Sequence, residues 1–147
     1  MPMSKANILI VEDELIVALD LKQRLRQLGY TVSAIVWSGE QAIEQVSQTH
    51  PDLVLMDIKL KGNLDGIEAA AKIHTCFHLP IVYLTAYTDN ATLERAKLTG
   101  ASGFLFKPVK DRELNNVIGA ALSCPRQGLK TPSQIEQLYL STWMLTA

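Results

Sequence analysis

Five short apolar runs, separated by longer stretches of helical spacing, constrain this chain more than any other feature. Ile8–Val11, Thr31–Val36, Leu53–Met56, Ile81–Leu84 and Phe104–Phe106 are rich in Ile, Val and Leu. Most are too continuous for strands wetted on one face, so the pattern predicts strands buried on both faces and joined by covering helices. The expected class is α/β, a doubly wound parallel sheet of five strands flanked by five helices. Periodicity alone does not give the order of the strands.

The intervening stretches carry their own start and stop signals. The first helix is expected from about Glu14 to Leu28, with Ile16, Leu19, Leu21, Leu25 and Leu28 on its buried side and Gly29 ending it. Ser38 is placed to cap the second helix, with Gln41 as its reciprocal partner and Ala42, Ile43 and Val46 inward. The third covers roughly Ile67 to Cys76, with Ala69, Ala70 and Ala71 permitting close approach to the sheet and Cys76 facing the core. The fourth, Asn90 to Leu98, is short and polar. The fifth, Asp111 to Leu122, offers Leu114, Val117, Ile118, Ala121 and Leu122 as its apolar stripe.

Four of the five strands end on polar chemistry. The first runs into Glu12 and Asp13, the third into Asp57, the fourth into Thr85 and the fifth into Lys107 and Pro108. In an open parallel sheet, ligands bind in the crevice beyond the carboxyl ends of the strands. Three carboxylates, a hydroxyl and an ammonium would therefore meet at one mouth. Such a set suits phosphoryl transfer, with Asp57 as nucleophile forming an acyl phosphate. Asp13 and Glu12 would supply oxygens to Mg²⁺, bridged to Asp57, with a backbone carbonyl near Lys59 as a further ligand. Lys107 and Thr85 would hold the remaining phosphoryl oxygens. Each residue also has a plainer reading: helix N-terminal acids for Glu12 and Asp13, a loop cap for Asp57, a common strand residue for Thr85 and a solvated edge charge for Lys107. The constellation outweighs its parts because chance would not repeatedly select strand ends.

Composition narrows the partners. Fourteen basic and fifteen acidic residues leave a net charge of −1 over 147 residues, so no polybasic surface for nucleic acid or anionic lipid is expected. Cys76 and Cys124 lack the spacing of a zinc or redox pair and read as reduced thiols. No stretch has the length of a transmembrane helix or the pattern of a signal peptide, so a cytoplasmic location is expected. The domain is placed at residues 6–124. Residues 125–147 are expected to form a tail with a short extra helix, started by Thr131-Pro132 and carrying Ile135, Leu138, Tyr139 and Trp143 on one face.

Taken in order, Val11-Glu12-Asp13-Glu14, Pro51 to Asp57, Asp65-Gly66, Leu84-Thr85-Ala86 and Gly100 to Pro108 resemble the receiver domain of two-component response regulators, over about Ala6 to Leu122. The resemblance implies a flavodoxin-like sheet of order 2-1-3-4-5. It implies Asp57 as phosphoacceptor, Asp13 and Glu12 as the acidic Mg²⁺ site (Mn²⁺ able to substitute), and Lys107 as phosphate contact. It further implies Thr85 as a switch hydroxyl, Phe104 as a switch aromatic turning inward from a more exposed rotamer, and a cis peptide at Lys107-Pro108. Phosphate would come from a phosphohistidine on a sensor histidine kinase or histidine phosphotransfer protein, and the domain would hydrolyse its own aspartyl phosphate.

Departures from the commonest family pattern tune these expectations. The loop from Ile58 to Asp65 is one residue longer than in the simplest receivers and carries Gly62-Asn63 in place of proline. Lys59 and Tyr87 flank the site, and Tyr87 is placed to shield the acyl phosphate, which predicts slow self-hydrolysis. Asn115 and Asn116 replace the arginines of the salt-bridged dimer seen in DNA-binding regulators, leaving homodimerisation open through another surface. Output is expected through protein contact, without direct nucleic-acid or membrane binding. The rivals are a receiver-like interaction module that is never phosphorylated, an N-terminal fragment of a larger regulator, a metabolite phosphatase and a flavodoxin. The phosphatase lacks a cap and has Lys59 where its second carboxylate should stand. The flavodoxin would face repulsion between its phosphate and Glu12-Asp13-Glu14.

Overall fold

A computed structural model describes residues 6–60, 62–86 and 90–123. The elements alternate as the spacing predicts: β1 (Asn7–Val11), α1 (Leu15–Gln27), β2 (Thr31–Val36), α2 (Gly39–Thr49), β3 (Leu53–Asp57), α3 (Gly66–Phe77), β4 (Ile81–Thr85), α4 (Asn90–Lys97), β5 (Gly103–Phe106) and α5 (Asp111–Ser123). All pairings are parallel, and the sheet order is β2-β1-β3-β4-β5.

Alternation along each strand divides the core between the two faces of the sheet. Ile8, Ile10, Leu53, Leu55, Val82 and Leu84 pack with Ala18, Leu21 and Leu25 of α1 and with Leu114, Ile118 and Ala121 of α5. Their neighbours Leu9, Val11, Val54, Met56, Ile81 and Tyr83 pack with α2, α3 and Ala96 of α4. β1, β3 and β4 are thus covered on both sides, which explains why their sequences are continuously apolar.

Local signals act where they stand. The Ser38 hydroxyl accepts from the Gln41 N–H at 3.2 Å, while the Gln41 side chain accepts from the Trp37 N–H at 3.1 Å, one residue earlier than expected. Asp65 and Glu68 close a complete capping box on α3. Gly29 takes φ 98° at the end of α1, a left-handed conformation that glycine adopts without steric cost.

Two burial expectations fail. Ile16 is 85% exposed and Leu19 49% exposed, because α1 meets the sheet through Ala18, Leu21 and Leu25 instead. Small Ala18 sets the contact line, and the larger side chains fall on the outer side. Cys76 is exposed rather than core-facing, since α3 buries the stripe Ile67, Ala69, Ala70 and Ile73. The expected tail, and Cys124 before it, lie outside the described residues. Among the described residues no helix is long and apolar enough to cross a membrane.

Candidate functional site

The strand ends converge as the sheet order requires. β1 lies beside β3, so Glu12 and Asp13 follow Val11 next to Asp57, and the ligand oxygens of these three carboxylates all lie within 4.8 Å of one another. Glu12 and Asp57 are buried and Asp13 is half-buried. Lys107 arrives from the far end of the sheet. Its Nζ donates to Glu12 Oε1 at 3.1 Å and to Asp57 Oδ2 at 3.3 Å. The backbone N–H of Lys107 donates to the Thr85 carbonyl at 2.8 Å, and the Lys107-Pro108 peptide is cis, as expected.

Three carboxylates around one ammonium make an electrostatically crowded pocket. Burial first, then the hydrogen bond and charge of Asp57, push Glu12 up to about 8, while Lys107 pulls the other way. Burial works against the Lys107 charge, but the charges and hydrogen bonds of Asp57 and Glu12 outweigh it and raise its pKa. The site therefore favours additional positive charge. Clustered carboxylate oxygens are also the donor set that hard divalent cations prefer.

The backbone around Asp57 is held closely. The Lys59 N–H donates to Asp57 Oδ1 at 3.2 Å, and the Gly66 N–H donates to the Ile58 carbonyl at 3.0 Å. A Cβ on Gly66 would lie 2.0 Å from the Asp57 carbonyl oxygen, so only glycine fits against the nucleophile candidate. Asp65-Gly66 was legible as a motif, but this reason for the glycine was not.

On the other side of the mouth, Thr85 is buried, and its hydroxyl donates to the Ala86 carbonyl at 2.6 Å. Phe104 is half-buried and lies against Tyr83, with ring centroids 5.5 Å apart and planes tilted by 35°. Tyr83 is fully buried, and burial pushes its hydroxyl up to about 12. Thr99 donates to the Ala96 carbonyl at 2.6 Å, which leaves the Tyr83 hydroxyl to donate to Thr99 at 2.7 Å. Nothing in the Ile81–Leu84 run singles out Tyr83, yet it ties β4 to the end of α4. The Lys59 side chain is exposed, and Tyr87 lies outside the described residues.

Comparison with known proteins agrees with this geometry. The family model described as response regulator receiver domain matches residues 8–119. The transcriptional regulatory protein PdtaR of Mycobacterium tuberculosis is 39% identical over 117 residues, covering 80% of this chain and 57% of that protein. The DNA-binding response regulator MtrA of Mycolicibacterium paratuberculosis is 36% identical over 110 residues, covering 75% and 48%. The chain thus spans about half the length of these relatives. Among solved structures, the signal receiver domain of a modulated diguanylate cyclase from Desulfovibrio desulfuricans G20 superposes with a TM-score of 0.79 at 36% identity, over 85% of this chain and 98% of that one. With its family match, its strand order and its acidic crevice in agreement, the chain belongs to the response regulator receiver domain family.

Proposed function

We propose that Asp57 is the phosphoacceptor of a two-component or phosphorelay pathway. The observation that carries this reading is the meeting of Lys107 Nζ with Asp57 and Glu12, at 3.3 and 3.1 Å, across 50 and 95 residues of chain. An Asp57 oxygen attacks phosphorus, an O–P bond forms and the P–N bond of a phosphohistidine breaks. The bonding pair leaves on the imidazole nitrogen, which takes up a proton. Water later cleaves the acyl phosphate to carboxylate and inorganic phosphate.

Glu12, Asp13, Asp57 and the Lys59 carbonyl would hold Mg²⁺, or Mn²⁺ in its place. When bound, the metal neutralises charge on the transferring group. Lys107 orients a second phosphoryl oxygen as a point charge and keeps it beside Asp57. Thr85 exchanges its bond to Ala86 for one to the new phosphoryl oxygens, and Phe104 and Tyr83 carry that movement toward α4 and β5. Tyr87 shields the acyl phosphate from water.

The receiver comprises residues 6–124, with 125–147 as a tail. The phosphodonor is a sensor histidine kinase or a histidine phosphotransfer protein, the location is cytoplasmic, and output passes through protein contact. The relatives' greater length favours a second reading, in which this receiver is the N-terminal part of a longer regulator.

The test is incubation with phosphoramidate and Mg²⁺, followed by intact-mass measurement of wild type and Asp57→Asn. One phosphate adduct on wild type alone is expected. An unmodified wild type, or an equal adduct on the variant, would end this reading.

A further inference from the structure

Arg24 stands where the polar side of α1 should face solvent, yet its side chain is only 18% exposed. Its Nε donates to Asp111 Oδ1 at 2.6 Å, its Nη2 to the Val109 carbonyl and its Nη1 to Asp20 Oδ2 at 3.4 Å. Val109 lies two residues beyond Lys107, and Asp111 is the first residue of α5. One guanidinium therefore grips both the backbone of the loop that delivers Lys107 to the mouth and the first side chain of the helix that follows it. From this fork of contacts we infer that Arg24 is a positioning residue, fixing Lys107 relative to the acidic cluster.

The route of the restraint is short. α1 begins two residues after Asp13, so the helix and the acidic pair move together. The loop leaving β5 is pinned in front, where the Lys107 N–H meets the Thr85 carbonyl, and behind, where Arg24 holds Val109 and Asp111. Without the rear contact, Lys107 would pivot about the front one. A planar guanidinium can hold a carbonyl and a carboxylate at fixed angles together; a lysine ammonium keeps the charge but loses the fork. Groups that act on a reacting centre need placement within about 0.5 Å, so a loop that drifts further disables Lys107 without removing it.

This inference rests on the reading of Asp57 and Lys107 given above, and a double-mutant cycle tests it. Phosphoramidate with Mg²⁺ is the probe, and the initial rate of adduct formation is compared for wild type, Arg24→Gln, Lys107→Ala and the double variant. Magnesium affinity is followed by calorimetry and folding by melting temperature. Arg24→Gln is expected to slow phosphorylation roughly tenfold, short of the ~100-fold cost of a full ångström of misplacement. Its magnesium affinity should not weaken, because Arg24 touches none of the three carboxylates and a displaced Lys107 competes less for Glu12 and Asp57. Adding Arg24→Gln to Lys107→Ala should slow the reaction no further, since the two residues act through one contact.

Additive effects, or an Arg24→Gln rate equal to wild type, overturn the inference. Should Arg24→Gln fail to fold, Arg24→Lys and Asp111→Asn give the same cycle with gentler changes. If wild type takes no phosphate at all, the phosphoacceptor reading fails on its own. Arg24 is then judged by the NMR resonance of the Lys107 ε-methylene without donor, where a shift in Arg24→Gln supports positioning and an unmoved peak refutes it.

Discussion

The centre of the sheet and its α4–β5 side are built differently. β3 is buried along its whole length, β1 along all but its first residue, and α3 buries five residues beneath them. By contrast β5 has four residues with only Leu105 buried, and α4 buries Ala96 alone while Leu98 and Phe106 stand in water. Glu12 and Asp57 belong to the first region; Thr85 and Lys107 face the second. Local stability follows the density of buried contacts. The proposed acceptor carboxylate is therefore fixed, and the groups proposed to respond to a phosphoryl oxygen adjoin the part of the fold that yields most readily.

Gly66→Ala strikes the firm region hardest. The added methyl meets the Asp57 carbonyl, and a clash with backbone cannot be relieved by rotating a side chain. A loss of roughly 3 kcal/mol is expected from such overpacking, read as a lower urea midpoint, with weaker magnesium binding alongside. A near-neutral result would show that the Asp57 backbone gives way, contrary to the comparison.

Acidity sharpens it next. In metal-free protein Glu12 rises from 4.5 to about 8, so between those values the native state holds a proton that the unfolded chain has released. The contribution is full below 4.5 and is lost as pH climbs through about 8, so melting temperature should fall across that window. Glu12→Gln should flatten the fall. Magnesium should oppose it, because metal ligation requires deprotonated oxygens. A melting temperature that instead rose through the window would contradict the assignment.

Tyr83→Phe probes the looser region with the smallest effect. Losing the hydroxyl bond to Thr99 should cost about 1 kcal/mol. Amide exchange should quicken in α4 while β1 and β3 keep their protection. Equal acceleration in both regions would show that they open as one unit.

The strands and every carboxylate of the cluster were legible because a parallel sheet buries its strands on both faces and ends them at one edge. Strand order was not, since pairing is a long-range property; it entered through family resemblance. Ile16 and Leu19 misled because α1 carries two apolar stripes, and nothing in a single helix says which meets the sheet. Ala18 marked the correct one but is too small to stand out. Arg24 was missed for a related reason. An arginine on a polar face looks solvated until a loop more than eighty residues away in sequence comes to rest on it.

Trp37 stands just past β2, 58% exposed, directly after Val36, whose carbonyl accepts the Glu12 N–H at 2.9 Å. Replacing Trp143, the second of two tryptophans, with phenylalanine would leave Trp37 as the single tryptophan, one residue from the backbone contact to Glu12. Titrating that variant with magnesium then tests whether the remaining tryptophan reports occupancy of the pocket without any attached dye.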